Sequence, residues 1–401
     1  MKITCLENYM KRITQLDRLS RTSIGTFQLT ALNTVLKREH ARDGFYRMLP
    51  SHITSLEELQ YFPFTTSRQL MDNSTSLLLC SQAEIQRIIT DQTSGTTGVP
   101  KRVFYTAGDC KNTLDFFVAG LAEMVFPGSR TMICMPFSGP YSLGSLISQA
   151  IERLGAVPIK AGTECTFEEY STILQQQKPD TFIGMAAPLL SILRFCGSYA
   201  LKRALLSGDA CPETVKSAIE HFGIVLFPHY GSREMALGGA VTCAAHEGMH
   251  VRENHVIVEI IGEKGEQLPP GEYGELVITT IGMEAMPLIR YRTGDITRIF
   301  PNQCPCGSEI IRLDHVRRSN HYMELLDNIL FSYEWLVDYC ITISAQIVDI
   351  RIITLSKSKL ENTINSKITE IFPGKEIHLS ATPCDISDTL FYRGKRGIQI
   401  C

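Results

Sequence analysis

The spacing of apolar positions in the first 48 residues predicts helices. Around Leu29, Leu32, Val35 and Leu36 the apolar side chains recur every three or four residues, which is the pattern of one buried helix face. From about residue 85 this spacing gives way to short apolar runs separated by longer helical stretches. The chain therefore changes from a helical segment to a mixed one.

The mixed segment alternates between strand and helix patterns. The predicted strands cover residues 102–105, 131–135, 156–159, 181–185 and 224–227, and the predicted helices cover residues 111–124, 143–153, 168–177 and 212–222. Alternation at this spacing favours a mainly parallel sheet covered by helices.

Two further segments complete the predicted architecture. Residues 251–281 alternate apolar runs with Gly and Pro turns, which favours an antiparallel subdomain. After residue 312 the pattern predicts helix, strand, strand, helix and strand, an order that suits a small α+β domain. We therefore predict an α/β fold with a large N-terminal domain over residues 1–315 and a small α+β domain over residues 316–401.

Composition excludes several classes of function. The chain is 44% hydrophobic and 20% charged with a formal net charge of −3, so it has no basic excess for nucleic acid or an anionic membrane. It has no apolar run of about 18 residues, and its start lacks the apolar block of a signal peptide. We expect a cytoplasmic protein with no nucleic-acid or membrane partner. Its 13 scattered cysteines should be mostly reduced, buried thiols.

The densest local signal is a run of hydroxyl residues and glycines that ends in a lysine, Thr93-Ser94-Gly95-Thr96-Thr97-Gly98-Val99-Pro100-Lys101. Glycines let the backbone turn tightly around an anion, while hydroxyls and backbone N–H groups donate to it. Lys101 adds a cation that can neutralise pyrophosphate. A polar turn between strands is the alternative, but four hydroxyls, two glycines and a lysine in nine residues favour a phosphate loop.

This run resembles the phosphate loop of the adenylate-forming superfamily, which includes acyl-CoA synthetases, peptide-synthetase adenylation domains and luciferases. Downstream, HYGSREM at 229–235 resembles that family's Tyr-Gly-x-[Ser/Thr]-Glu segment, and RYRTGDI at 290–296 resembles its Tyr-x-Thr-Gly-Asp segment. The segments FYRMLP, SLEELQYFPFTT, EGMHVREN and Cys304-Pro305-Cys306-Gly307 are similar to phenylacetate-CoA ligase-like enzymes. The resemblance implies that residues 1–315 form an AMP-binding adenylation domain and that residues 316–401 form a shortened lid.

The resemblance also implies a reaction. A small-molecule carboxylic acid would be activated with ATP to an acyl-adenylate, pyrophosphate would leave, and the acyl group would pass to coenzyme A. A carrier-protein thiol or an amine is the alternative acceptor, and a non-catalytic ATP or AMP sensor is the alternative function. A homodimer is left open.

The resemblance implies a role for each matching residue. The phosphates would be held by Thr93, Ser94, Gly95, Thr96, Thr97, Gly98 and Lys101. Glu234 would bind Mg²⁺, Tyr230 and Gly231 would pack near the adenine, and Asp295 would accept from the ribose hydroxyls. Arg318 matches the arginine that follows this aspartate, and Lys395 matches the lysine that reaches the α-phosphate from the lid.

Three positions depart from the family pattern. Arg233 stands where a hydroxyl residue usually precedes the glutamate, and Asn320 and His321 replace two aspartates near the hinge. These departures motivate the sensor alternative.

Cysteine and histidine spacing points to a second site. Cys304 and Cys306 are separated by one proline, and Cys243 is followed by His246 and His250. Two separate pairs of free cysteines would explain the spacing equally well. The resemblance favours a structural zinc ion held by Cys243, His250, Cys304 and Cys306, because His250 falls in the matching segment.

The resemblance places the acid pocket in segments 134–145, 183–190 and 206–211. Phe137, Tyr141 and Met185 would form its apolar wall, and His229 would touch the acid. None of these residues identifies the substrate.

Overall fold

The computed structural model describes residues 4–91, 101–319, 322–355, 362–391 and 399–400 of the 401-residue chain. Contacts divide the chain into two compact units. The first contains Met1–Glu123 and Pro228–Ser319, and the second contains Met124–Phe227 and Asn320–Cys401.

The helices and strands of the described residues are as follows. The α-helices are α1 (Cys5–Thr14), α2 (Arg21–Ala41), α3 (Ser67–Asp72), α4 (Ala107–Leu121), α5 (Leu143–Arg153), α6 (Phe167–Thr172), α7 (Ala186–Cys196), α8 (Glu213–Glu220), α9 (Tyr322–Leu330) and α10 (Asn362–Ile371). A π-helical turn follows α6 at Ile173–Gln177, and 3₁₀ turns lie at Leu56–Tyr61, Gln82–Glu84 and Arg233–Met235. The strands are β1 (Ile85–Asp91), β2 (Lys101–Thr106), β3 (Arg130–Ile133), β4 (Val157–Lys160), β5 (Thr181–Gly184), β6 (Arg203–Leu206), β7 (Val225–Tyr230), β8 (Ala240–Val241), β9 (Met249–Val251), β10 (Val256–Ile261), β11 (Gly274–Thr280), β12 (Tyr291–Thr297), β13 (Arg312–Leu313), β14 (Arg317–Arg318), β15 (Leu336–Ile343), β16 (Ile347–Thr354), β17 (Glu376–Pro383) and β18 (Gln399–Ile400).

Antiparallel pairs dominate the first unit. β1 and β2 form a hairpin, and β10, β11, β12 and β14 form a four-stranded sheet. β8 pairs with the end of β7 and with β9, which also pairs with β13. The expectation that residues 102–105 join a parallel sheet is wrong, because β2 pairs antiparallel with the strand just before it and a short connection permits only that direction.

Capping fixes the helix that follows β2. Thr106 caps α4 by accepting a hydrogen bond from the backbone N–H of Asp109 at 3.0 Å. The buried Asp109 carboxylate also accepts from the backbone N–H groups of Glu284 and Ala285, at 2.7 and 3.0 Å. The end of β2 and the loop before β12 are therefore held together by one carboxylate.

The second unit contains the parallel sheet that the strand–helix alternation predicts. Its strand order is β6-β5-β3-β4, and every neighbouring pair is parallel. The prediction of a parallel sheet with helices is confirmed here. The helix α7 and the strand β6 were not among the predicted elements. The helix was missed because residues 186–196 are buried on nearly every side and show no polar stripe.

The C-terminal segment shares a core with this sheet. Buried side chains of α7, α9, β15, β16 and α10 form one apolar cluster, which includes Leu190, Leu326, Tyr339, Ile350 and Ile368. Arg194 on α7 donates to the backbone carbonyls of Leu336 and Phe331, both at 2.7 Å. The predicted helix-strand-strand-helix-strand order is confirmed, while the lid role of residues 316–401 stays a prediction.

The hydropathy of the helices bears on whether any of them could span a membrane. Within the ranges that the structure describes, no helix combines the length and the apolar character needed to cross a bilayer. Each cysteine in those ranges carries a free thiol.

Candidate active site

Several predicted site residues lie outside the described ranges. They are Thr93, Ser94, Gly95, Thr96, Thr97 and Gly98 of the phosphate loop, Lys395 near the C-terminus, and the divergent Asn320 and His321. Lys101, the last residue of the loop signature, is the first residue of β2. The described part of the predicted site lies in the first unit, which contains Lys101, Glu234 and Asp295.

Lys101, Glu234 and Tyr291 form a compact charged cluster. The Lys101 ammonium makes an ion pair with the Glu234 carboxylate, and its Nζ donates to the Tyr291 hydroxyl at 2.8 Å. The Tyr291 hydroxyl in turn donates to Oε1 of Glu234 at 3.3 Å. Glu234 and Tyr291 are buried and Lys101 is half-buried. Three residues that are far apart in the sequence thus meet at one point.

The local backbone explains how Glu234 reaches this cluster. A 3₁₀ turn at Arg233–Met235 follows β7, and Leu237 N–H donates back to the Ser232 carbonyl at 2.8 Å. A side chain at Gly231 would put its Cβ 2.2 Å from the Leu237 carbonyl oxygen, so only glycine fits this turn. The glycine of the Tyr-Gly pair therefore shapes the turn that presents the carboxylate.

Electrostatics keeps the Lys101–Glu234 pair ionised. Burial alone raises the pKa of Glu234, but attraction and hydrogen bonding to Lys101 outweigh it and hold the pKa below its ordinary value. Burial lowers the pKa of Lys101, whereas Glu234 and Tyr291 raise it, and the net shift is upward. Burial raises the pKa of Tyr291 to about 12, so its hydroxyl stays protonated near neutral pH.

Tyr230 and Asp295 form a neighbouring polar pair. The Tyr230 hydroxyl donates to Oδ2 of Asp295 at 2.8 Å. Burial raises the pKa of Asp295, although the Tyr230 hydrogen bond and the Arg318 charge oppose the shift. Asp295 and Arg318 are partners in the β12–β14 ladder, and the Arg318 side chain is exposed. Two strands of one sheet thus bring together the aspartate and the arginine that the sequence singled out.

Arg233 and His229 lie on either side of Tyr230 in the sequence and have different surroundings. The Arg233 carbonyl accepts from the Tyr105 hydroxyl at 2.6 Å. The His229 ring lies against Phe116 and Phe117, with centroids 6.0 and 6.2 Å away. Burial lowers the pKa of His229 to about 4, so its imidazole is neutral near neutral pH. The predicted contact of His229 with the acid remains a prediction.

Three cysteines and one histidine come together elsewhere in the first unit. The ligand atoms of Cys243, His250, Cys304 and Cys306 all lie within 4.8 Å of one another. Cys243 Sγ is 3.7 Å from Cys304 Sγ, and Cys306 Sγ is 3.4 Å from His250 Nε2. His250 Nδ1 lies 3.1 Å from the Ile310 carbonyl, whereas His246 is exposed and outside this group.

This donor set fits a tetrahedral zinc ion. Zinc–sulfur and zinc–nitrogen bonds of about 2.3 and 2.0 Å give ligand–ligand edges of roughly 3.5–3.8 Å, close to the two separations above. A carbonyl at Nδ1 fixes the tautomer that leaves Nε2 for a metal. The geometry therefore favours one four-ligand cluster over two separate pairs of cysteines.

The predicted acid-pocket residues Phe137, Tyr141 and Met185 lie in the second unit. Met185 is buried before α7, while Phe137 and Tyr141 are half-buried in the segment that leads into α5. Their contact with an acid remains a prediction.

Tyr291 is the site residue that the sequence analysis missed. It is the first residue of the Tyr-x-Thr-Gly-Asp segment, in which only Asp295 was predicted to have a role. Its position four residues before Asp295 was the available signal, because both would lie on one strand. Only the structure shows that its hydroxyl meets Lys101 and Glu234.

Comparisons with known proteins identify the family of this chain. The AMP-binding enzyme family matches residues 91–285. A phenylacetate-coenzyme A ligase of Aromatoleum evansii is 30% identical over 311 residues, which cover 71% of this chain and 69% of that protein. The phenylacetate-coenzyme A ligase of Thermus thermophilus is 29% identical over 323 residues, which cover 75% of this chain and 71% of that protein.

Solved structures give the same fold. A 2-hydroxyisobutyryl-CoA ligase in the postadenylation state superposes with a TM-score of 0.76 at 17% identity, covering 96% of this chain and 90% of that one. The same enzyme in its thioesterification state, with its acyl-AMP and CoA, gives a TM-score of 0.69 at 19% identity, covering 95% and 91% of the two chains. The chain belongs to the adenylate-forming, AMP-binding enzymes, among the phenylacetate-CoA ligase-like proteins.

Proposed function

We propose that this chain is an AMP-forming acid–thiol ligase, which activates a carboxylic acid with ATP, releases pyrophosphate and transfers the acyl group to coenzyme A. The observation that carries the proposal is the convergence of Lys101, Glu234 and Asp295 within one unit. The relatives named above are ligases of this kind, and the chain spans most of their length.

The chemistry requires charge control more than covalent participation by the protein. A carboxylate is a poor electrophile because its leaving group would be oxide. Attack of its oxygen on the α-phosphorus of ATP gives a mixed anhydride whose leaving group is AMP. Two anions must be brought together for this step, so fixed cations and positioning supply most of the catalysis.

Lys101 is the described cation best placed for this task. Its ammonium stays protonated in a partly buried setting, where a charge interacts more strongly than in water. In the proposed complex, Lys101 exchanges part of its contact with Glu234 for the phosphates of ATP. The hydroxyls and glycines of residues 93–98 and the ammonium of Lys395 lie outside the described residues, and the resemblance alone assigns them further contacts with the phosphates.

Glu234 is the proposed magnesium ligand. Its carboxylate is ionised because Lys101 outweighs the effect of burial on its pKa, and a hard carboxylate oxygen suits this cation. Bound magnesium would neutralise phosphate charge.

Asp295 and Tyr230 are the proposed nucleoside-binding pair. A carboxylate has about four lone-pair sites, so the Tyr230 hydroxyl at 2.8 Å leaves capacity for the two ribose hydroxyls. The hydrogen bond also fixes the orientation of the Tyr230 ring, which would pack against the adenine. Gly231 allows the Leu237 carbonyl to lie close to the turn that follows Tyr230.

The cluster of Cys243, His250, Cys304 and Cys306 is proposed to hold a structural zinc ion. Four protein ligands fill a tetrahedral coordination sphere, which leaves no position for a reacting water. The ion would tie β9 to the loop before β13.

The proposal is tested by acid-dependent exchange of labelled pyrophosphate into ATP, with a panel of aryl and short-chain acids. We expect exchange with at least one acid, and AMP plus a thioester when coenzyme A is added. Asp295→Asn should weaken exchange, whereas Asp314→Asn, which removes a half-buried carboxylate paired with Arg298, should leave it near wild type.

Each alternative has its own result in this assay. Exchange without a coenzyme A thioester favours transfer to a carrier-protein thiol or an amine. Binding of ATP with no exchange for any acid would reject the ligase and favour the sensor.

A further inference from the structure

We propose that Tyr291 is a positioning residue for the adenylation step, and that the buried Arg290–Glu259 pair fixes the backbone that presents its hydroxyl to Lys101 and Glu234. The inference rests on the proposed function, because it concerns how the charged groups of that site are held before ATP binds. None of the nucleotide-binding roles proposed for this chain involves Tyr291.

The Tyr291 hydroxyl restrains a lysine that would otherwise be mobile. Lysine carries its charge on a flexible four-carbon stem, so one ion pair leaves the ammonium free to pivot. The hydroxyl provides a second contact at 2.8 Å, and the centroid of the Tyr291 ring lies 5.3 Å from Nζ. The same hydroxyl reaches Oε1 of Glu234 at 3.3 Å. Cation and carboxylate are thus held by one rigid aromatic side chain.

The residue before Tyr291 has an unfavourable backbone conformation. Arg290 has a φ of 49°, in the left-handed region that residues other than Gly, Asn and Asp rarely adopt. Such a conformation persists only where the surroundings over-determine it, and it is frequent at functional sites. The contacts around Arg290 therefore have to stabilise this backbone conformation, and the neighbouring Tyr291 offers a functional reason for it.

The contacts that hold Arg290 are numerous. Arg290 is 2% exposed, and its guanidinium makes a bidentate pair with Glu259 at 3.1 and 2.9 Å. Its Nη1 also donates to the carbonyls of Gln60 and Phe62, at 3.0 and 2.7 Å. The Arg290 N–H donates to Thr279 Oγ1 at 2.9 Å. A bidentate arginine with two further carbonyls has one allowed orientation, and this orientation fixes the backbone.

Thr65 holds the chain on both sides of Tyr291. Its N–H donates to the Arg290 carbonyl and its carbonyl accepts from the Arg292 N–H, each at 2.9 Å. Its hydroxyl donates to the Ile289 carbonyl at 2.7 Å. The peptide groups flanking Tyr291 are therefore fixed independently of the tyrosine side chain, which leaves its hydroxyl to the charged cluster.

The test is Tyr291→Phe, which removes the hydroxyl and keeps the buried ring. The matched control is Tyr273→Phe, which removes a hydroxyl that donates to the Asp314 carboxylate at 2.7 Å, on a half-exposed ring. For each variant we would measure kcat and KM for acid-dependent pyrophosphate release, the Kd for ATP by calorimetry, and Tm.

We expect Tyr291→Phe to lower kcat by about ten-fold or more and to weaken ATP binding, because a hydrogen bond between a neutral and a charged group is lost. KM for the acid should stay within about two-fold of wild type, since ground-state binding of the acid is untouched. Tyr273→Phe should change none of these constants. Wild-type kcat and ATP affinity in Tyr291→Phe would overturn the proposal.

A double-mutant cycle tests whether Arg290 acts through Tyr291. Arg290→Lys loses the bidentate geometry and should lower kcat several-fold on its own. In the Tyr291→Phe background it should lower kcat by less than about two-fold, because residues that act as a unit are non-additive. If the fold-changes in kcat caused by the two substitutions instead multiply, Arg290 does not act through Tyr291. If Arg290→Lys does not fold, Glu259→Gln takes its place in the cycle.

The ATP Kd separates this inference from the proposed function. If the wild type binds ATP but exchanges pyrophosphate with no acid, the ligase proposal fails. The positioning role is then decided by whether Tyr291→Phe weakens ATP binding relative to Tyr273→Phe. A wild type without ATP affinity would overturn both.

Discussion

The buried ion pair between Lys101 and Glu234 gives a prediction that does not depend on catalysis. Replacing Lys101 with Met keeps most of the apolar stem and removes the charge. The Glu234 side chain, which is 8% exposed, would then be an ionised carboxylate in a poorly solvated place. Breaking a buried pair from one side costs roughly 3–5 kcal/mol of the free energy of unfolding.

The structure places this pair at the lower end of that range. The Lys101 side chain is 18% exposed, and the Tyr291 hydroxyl still solvates Oε1 of Glu234 in the variant. We therefore expect Lys101→Met to destabilise the protein by about 3 kcal/mol, a fall in Tm of roughly 6–12 °C for a unit of this size. Adding Glu234→Gln removes the stranded charge and should recover about half of the loss.

The pH dependence of this loss has a definite sign. In the wild type the pKa of Glu234 lies below its ordinary value, so its contribution to stability is present at neutral pH and lost as the pH falls through that lowered pKa. Without Lys101, burial dominates and the pKa rises above the ordinary value. The variant therefore loses stability as the pH increases, and its deficit should shrink in acid.

The assay is urea unfolding followed by circular dichroism, in buffer without nucleotide or magnesium, at several pH values. Arg292→Met is the matched control, because it breaks an ion pair with Glu275 in which the arginine is 44% exposed. That loss should stay within about 1 kcal/mol. The reasoning is refuted if the Lys101→Met, Glu234→Gln double variant is less stable than Lys101→Met alone.

Three further predictions concern the other sites. Purified protein should contain about one zinc ion per chain by mass spectrometry, and Cys304→Ser should lose it and lower Tm while Cys80→Ser retains it, since a structural zinc site contributes folding energy; metal-free wild type after chelator-free purification would contradict this. Asp295→Asn should weaken ATP binding by about ten-fold and raise Tm at and above neutral pH. Tm should rise because a carboxylate whose pKa is raised by burial costs stability as the pH rises through that pKa. A lower Tm of the variant at alkaline pH would contradict the explanation of the stability change. Lys395→Ala should reduce pyrophosphate exchange by at least about a hundred-fold with little change in ATP affinity, if this lysine acts only in the transition state; exchange near wild type would remove it from the mechanism.

Local patterns predicted most of the secondary structure. The spacing of apolar positions located α5 and α8 to within a few residues, because each of these helices has one apolar face. β5 was located as a short run that is buried at every position. The same reasoning missed α7, which is apolar all round. It also placed residues 102–105 in the wrong kind of sheet, because strand direction depends on which partner is nearest and not on the strand's own sequence.

The chemistry was predictable in a similar way. Order and spacing of three short segments identified the family and named Lys101, Glu234 and Asp295. Cysteine and histidine spacing, together with the resemblance, named the four zinc-ligand candidates. The sequence could not assign a role to Tyr291 or explain the strained Arg290. Their importance arises from contacts with Glu259 and Thr65, which lie 31 and 225 residues from Arg290 in the chain.

The sequence by itself determined which residue types are available: glycines and hydroxyls that suit phosphates, carboxylates that suit a cation and a ribose, and thiols and an imidazole that suit zinc. Only the tertiary structure decided which of these side chains share one place and what holds them there. The physical reason is that hydrogen bonds and ion pairs act over a few ångströms. Folding brings residues 101, 234 and 291 within that range, although nothing in their local sequence relates one to another.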